Sequence, residues 1–299
     1  MNKPNLLIIG AAKAGSTSLY YYLNQHFNIN FSKLKEPKYF TYSFLNLSHA
    51  GPGDNSVDKY AIRDKNKYYD LFSNFNSKYT AEASPDYLYY SDRVAKKIYN
   101  ELGDIPLIII LRNPILRAFS AYSYLKRDNR EKYSFKEALD LESKRISMNY
   151  DFIWHYKSVG NYSSQIKYFS ELFSNIHFIL FDDLVTNPLK ACNDVFKFLN
   201  LETLNQIKTT IHNPSGNPKN LLARFILNRR SSISTFTREM IKFFIPRKIL
   251  ENLASRSLER NLIDKESFEY LAEYYIDEIS YLENLLNRDL STWKEWKHK

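Results

Sequence analysis

Cysteine is nearly absent from these 299 residues: Cys192 stands alone, so no disulfide within the chain can staple the fold. The six histidines are scattered, no Cys/His group has metal-ligand spacing, and no metal site is expected. Long apolar runs are missing too. The run at 6–9 is far too short for a signal-peptide core or a membrane span, and residues 1–5 lead straight into it, so a cytoplasmic protein is expected. Internal repeats and low-complexity segments are lacking. Acidic residues are scarce in one place: across 219–248, eight Lys and Arg, from Lys219 to Lys248, face Glu239 alone and carry most of the net +9. What the chain does have is a 44% hydrophobic content, enough for a full core, and strand and helix signals that alternate through most of its length. The expectation is one α/β domain over 1–299. The 24 Tyr and 20 Phe accompany many Asn, Lys and Ile, so compositional bias explains most of them.

The stretch around which the rest is read runs from Leu6 to Leu19. Leu6-Leu7-Ile8-Ile9 fits a buried parallel strand, and Leu19, Tyr22 and Leu23 have the spacing of an amphipathic helix. Between them lies a small-residue loop. The free N–H groups at Gly15, Ser16, Thr17 and Ser18 would point into it at the positive end of the helix dipole, and the three hydroxyls add donors for phosphate or sulfate. Gly10-Ala-Ala-Lys-Ala-Gly15 keeps the two glycines of the nucleotide-triphosphate loop but puts Ser16 where its lysine belongs. The basic residue has moved to Lys13, beside Ala14. A metal-free transfer fits that order better than ATP hydrolysis, and the competing reading is a strand-to-helix turn with no ligand. The motif resembles that of the sulfotransferases that use 3′-phosphoadenosine 5′-phosphosulfate (PAPS). That resemblance implies a P-loop-like three-layer α/β fold with a central parallel sheet, a nucleotide-binding core at 1–200, and a cofactor-covering loop with C-terminal helices at 201–299.

Glu36-Pro37-Lys38-Tyr39-Phe40 sets a carboxylate among lysines, and the proline is expected to hold Glu36 extended. A solvated charged loop is the bland alternative. The pattern resembles the Glu-x-x-aromatic-Phe of the glycan-modifying sulfotransferases, which implies Glu36 as general base. Residues 41–67 read as an irregular loop beside the acceptor site. Tyr79–Ala83 reads as a strand, with Glu82 as second-choice base and Asp86 as a further acid. Several relatives carry a catalytic lysine where this chain has Ala83, so either Lys13 works alone or Lys35 substitutes.

Leu107–Leu111 is a second fully apolar strand, and Pro114 suits the first turn of a helix. Arg112 leaves the strand's C-terminal end, where ligands of open α/β sheets bind; its planar fork suits a phosphate monoester, and Ser120 can add a hydroxyl. The eight-residue spacing resembles the family's grip on the 3′-phosphate, while Arg117 is expected to bridge to a surface carboxylate. Two phosphate contacts together call for a doubly phosphorylated ligand.

Further on, helices are expected over 135–147, 161–173, 188–199 and 262–287, and a strand over 176–181. Trp154 and His155 read as core first and sugar contacts second, Asp182 or Asp183 as a cap or loop anchor, and Trp293 as packing back on the domain. Lys219, in a turn-rich loop, is a candidate cofactor contact. The basic helices of 219–248 suit an anionic glycan, the cofactor or an acidic membrane surface carrying a lipid-linked acceptor, or equally a helical subdomain whose apolar side packs on the sheet and whose basic side is solvated; nucleic acid is not expected. The function implied is sulfuryl transfer from PAPS, with PAP as product, to a hydroxyl or amine of a carbohydrate or glycolipid. The alternatives are a nucleotide kinase or NTPase with a degenerate loop, and a non-catalytic PAPS- or PAP-binding protein.

Overall fold

The computed structural model describes residues 3–45, 48–55, 61–73, 76–209, 217–218, 258–259 and 262–296. Five strands make the central sheet: β1 (Leu6–Gly10), β2 (Ile29–Phe31), β3 (Tyr79–Ala83), β4 (Leu107–Leu111) and β5 (Ile176–Leu180). Their order is β2-β3-β1-β4-β5 and every pairing is parallel. β1 and β4 are buried at all five positions, which is why both read as unbroken apolar runs: helices cover both faces of the sheet and no side chain meets water. This is the three-layer, P-loop-like fold expected from the sequence.

On one flank α1 (Ser16–Leu23) packs on the helix Pro188–Phe198, while Asp86–Tyr89, Ser91–Leu102, Tyr162–Ser170 and Ile276–Leu286 pack among themselves. The helix Pro114–Arg127 starts with Pro114 in its first turn, and its Asn113 cap accepts from the amides of Ile115 and Leu116. Asn113 also reaches the C-terminal part, its Nδ2 donating to the carbonyl of Trp293 at 2.9 Å. The indole of Trp293 in turn donates to Asp182, and Asp183 pairs with Arg288, so both aspartates anchor the chain's end. Residues 135–147 form two short helices, Phe135–Asp140 and Glu142–Ser147, and residues 262–287 likewise divide into Lys265–Tyr274 and Ile276–Leu286. In each case periodicity survives the break, because the amides after it still bond to carbonyls four residues back: Arg145 to Leu141, and Ile279 to Tyr275.

Among the described residues no helix is long and apolar enough to cross a membrane. Lys219 and the whole basic stretch 219–248 lie outside the described residues; Asn217–Pro218, just before it, pairs antiparallel with Leu258–Glu259.

Candidate functional site

Because the five strands run parallel, the segments that follow them all emerge at one edge of the sheet. β1 delivers Lys13, β2 the segment holding Glu36, β3 Ala83 and Ser84, β4 Arg112, and β5 Phe181. Residues up to 168 positions apart in the chain therefore meet at one edge.

The loop after β1 turns on Gly15. Its φ of 97° is open to glycine, and a Cβ built there would lie 2.9 Å from Cδ2 of Phe181. No side chain caps α1 and no acidic residue sits in its first turn, so the helix's positive end, with Ser16, Thr17 and Ser18, has no anionic group of its own helix beside it. Ala14 is buried and holds the loop against the core.

Arg112 crosses this loop. Its Nη1 donates to the carbonyl of Lys13 at 3.1 Å, and its guanidinium lies 4.5 Å from the centre of the Phe181 ring. Nε is buried and has no hydrogen-bond partner among the described residues, a strong donor left for something else to fill. Burial draws the group down to about 10, so it keeps its charge at neutral pH. Ser120 is half-buried on the helix Pro114–Arg127, one turn before Tyr124 and on the same face. That face looks toward the loop, since Nζ of Lys13 sits 4.2 Å from the Tyr124 ring centre.

Glu36 is paired with Lys35, and its amide donates to the carbonyl of Ala83 at 3.2 Å, holding the segment against the end of β3. The expected extended backbone is not found: Glu36 has φ 62°. The tie to Ala83, and a second from the amide of Ile62 to the carbonyl of Pro37, fold the chain back and override the preference of a residue before proline. The positive φ values themselves form a pattern. Seven described non-glycine residues have one; four are asparagine, which tolerates that region, and the other three are Lys13, Glu36 and Lys38. Strain of that kind collects at functional sites.

Lysines surround Glu36. Burial pushes the Glu36 carboxyl up, but Lys35, Lys38 and Lys13 outweigh it and hold it below the usual carboxylate range. Lys13 goes the other way: burial, then Arg127 and Arg112, bring its ammonium down to about 7. Lys38 is itself buried, 3.9 Å from Asp151 and 5.2 Å from the Phe152 ring centre.

Three other candidates have structural duties. Glu82 is fully buried, accepting from the hydroxyls of Tyr68 and Ser84, and cannot meet an acceptor. Asp86 is also buried and accepts from Thr41 at 2.8 Å. Arg117, expected at the surface, is fully buried and donates to the carbonyl of Tyr156. Trp154 and His155 belong to the interior, bonded to Asp54 and Tyr89. The neighbours that sequence reading missed are Tyr124 and Phe181. For Phe181 the only trace was the glycine it requires opposite, and for Tyr124 its place one turn after Ser120.

A family model described as the sulfotransferase domain matches residues 3–243. Heparan sulfate glucosamine 3-O-sulfotransferase 5 of Homo sapiens is 29% identical over 203 residues, 66% of this chain and 54% of that protein. Membrane-associated sulfotransferase kil1 of Dictyostelium discoideum is 30% identical over 147 residues, 47% of this chain and 28% of that protein. The chain thus spans about half or less of the length of these relatives. A crystal structure of a sulfotransferase from Alicyclobacillus acidocaldarius superposes with a TM-score of 0.78 at 30% identity, covering 99% of this chain and 100% of that one. With a family match across most of its residues and a solved relative that it overlies from end to end, the chain belongs to the sulfotransferase domain family.

Proposed function

We propose that this protein transfers the sulfuryl group of PAPS to a hydroxyl or amine of a carbohydrate or glycolipid acceptor. The observation that carries the reading is the convergence of Lys13 and Glu36, both in left-handed backbone, with Arg112, whose buried Nε has no hydrogen-bond partner among the described residues, at an uncapped helix start. That donor set fits a ligand with a phosphate at each end: the amides and hydroxyls of Gly15, Ser16, Thr17 and Ser18 would hold the 5′-phosphate, and Arg112 with Ser120 the 3′-phosphate. Bound PAPS supplies an activated sulfuryl group on a phosphate leaving group. Glu36, kept ionised by its lysines, takes the proton from the attacking hydroxyl or amine. Lys13 sets positive charge where negative charge grows on the leaving oxygen. The electrostatics are preorganised, since both side chains hang from backbone whose geometry is fixed by hydrogen bonds to other elements.

The acceptor class is drawn from the carbohydrate-modifying relatives. Lys219 as a further cofactor contact, and the basic residues of 219–248 as a peripheral contact with an acidic membrane, are part of the proposal on sequence grounds alone. Flotation with anionic vesicles at low and high salt tests the latter, and no binding at low salt discards it.

The central experiment compares thermal shifts with adenosine 3′,5′-bisphosphate and with ATP plus magnesium, then screens glycans and glycolipids for sulfate transfer from PAPS. Stabilisation by the bisphosphate and labelled acceptor are expected. Stronger stabilisation by ATP with magnesium would overturn the reading, and binding without transfer to any acceptor would leave a non-catalytic PAPS-binding protein.

A further inference from the structure

The ammonium of Lys13 has no ion-pair partner among the described residues, although Glu36 and Asp128 both act on it from a distance. What it touches is a ring: Nζ lies 4.2 Å from the centre of Tyr124, and the guanidinium of Arg127 lies 5.0 Å from the centre of the same ring. We propose that Tyr124 is the positioning residue for Lys13, its ring face holding the ammonium at the crest of the loop where a carboxylate would otherwise be needed. The proposal rests on the sulfuryl-transfer reading for what Lys13 then does, though not for the contact itself.

The physical advantage lies in the sign of the charge. A carboxylate against Lys13 would neutralise it and repel an anionic donor. A ring stabilises the cation through its quadrupole and adds no net charge. Lys13 is thereby secured at both ends, its carbonyl by Arg112 and its ammonium by Tyr124, with the charge still available to the ligand. The charged groups facing it are Arg127 and Asp128 at the end of the helix Pro114–Arg127, Arg112 after β4, and Glu36 after β2. Burial opposes its charge most, and the two cations bear on it more strongly than the two anions, so the ring contact matters for keeping it protonated.

The test reads Lys13 directly. The lysines of the intact chain are reductively methylated with ¹³C, and the Lys13 resonance, identified by its loss in Lys13→Arg, is titrated by NMR without donor or acceptor. Tyr124→Leu should lower the midpoint by about half a unit or more, while Tyr124→Phe, which keeps the ring, should stay within a few tenths of wild type. Tyr124→Met serves as a second ringless chain should Tyr124→Leu fail to fold, and is read in the same way. A midpoint unmoved in the ringless chains overturns the proposal. Where transfer is measurable, kcat should fall about tenfold in Tyr124→Leu and recover in Tyr124→Phe, with KM for the acceptor unchanged. Absence of transfer in every chain, with the midpoint shift intact, would count against the reaction and leave the Tyr124 contact standing.

Discussion

Nη1 of Arg112 donates to the main-chain oxygen of Lys13 across 3.1 Å. The residue proposed as the 3′-phosphate contact is thus also a strut for the loop proposed to hold the 5′-phosphate. The two ends of one ligand would meet a single rigid unit, and the cost of ordering the loop is already met before the ligand arrives.

Replacing Arg112 by lysine removes the planar fork and the bond to the Lys13 carbonyl while keeping the charge. Affinity for adenosine 3′,5′-bisphosphate should fall about tenfold or more, and affinity for AMP, which has no 3′-phosphate, should fall much less. Isothermal titration calorimetry with the two nucleotides decides it: equal losses would mean that Arg112 acts only as a strut.

Gly15→Ala places a Cβ at φ 97°, 2.9 Å from Cδ2 of Phe181. A destabilisation of about 1–3 kcal/mol is expected from the backbone alone. Urea midpoints should show it, and the double variant with Phe181→Leu should recover only the part due to the clash. Full recovery would show that the left-handed backbone carries no cost here.

Glu36→Gln should lower kcat by roughly 10²–10⁴-fold and leave bisphosphate affinity nearly intact. Because its neighbours hold the wild-type carboxyl below its ordinary value of 4.5, Glu36 stays ionised to lower pH, and, if it is the base, the acid limb of the rate profile should lie below that value. Lys35→Gln removes the cation paired with it and should raise the limb. A limb unmoved by that change would separate Lys35 from the base.

Glu82 makes a prediction about stability. Burial raises its carboxyl from 4.5 to about 7, against the hydrogen bonds from Ser84 and Tyr68 that favour the ionised form. A folded-state value above the unfolded one means that the stabilisation is full below pH 4.5 and is lost as pH rises through about 7. The loss is on the order of 3 kcal/mol. Urea midpoints between pH 4 and 8 should decline for the wild type, with a flatter profile for Glu82→Gln; parallel profiles would remove Glu82 as the cause.

Much of the fold was legible in the chain because it depends on local pattern. Leu6-Leu7-Ile8-Ile9 and Leu107–Leu111 are apolar without alternation because both faces of a parallel sheet are covered, and that requirement is written residue by residue. Pro114 and Gly15 mark their turns for equally local reasons of dihedral angle. The breaks at Leu141 and Tyr275 escaped notice because the apolar spacing runs through them undisturbed.

The site divides along the same line. Lys13, Glu36 and Arg112 are recognisable one by one, as a cation on a small-residue loop, a carboxylate among lysines, and an arginine at a strand's end. Their meeting at one edge follows from the strand order β2-β3-β1-β4-β5, which no short window of sequence contains. The backbone of Glu36 shows the same limit: the local rule for a residue before proline gave the wrong answer, because a hydrogen bond to Ala83, 47 positions away, decided it. Glu82 read as a second-choice base and Asp86 as a further acid until packing sealed both in the interior. The ring that receives the Lys13 ammonium comes from a helix 111 residues later, and only the folding of that helix over the loop could place it there. Chemistry that depends on one residue's type is present in the unfolded chain, whereas chemistry that depends on distance begins when the sheet closes.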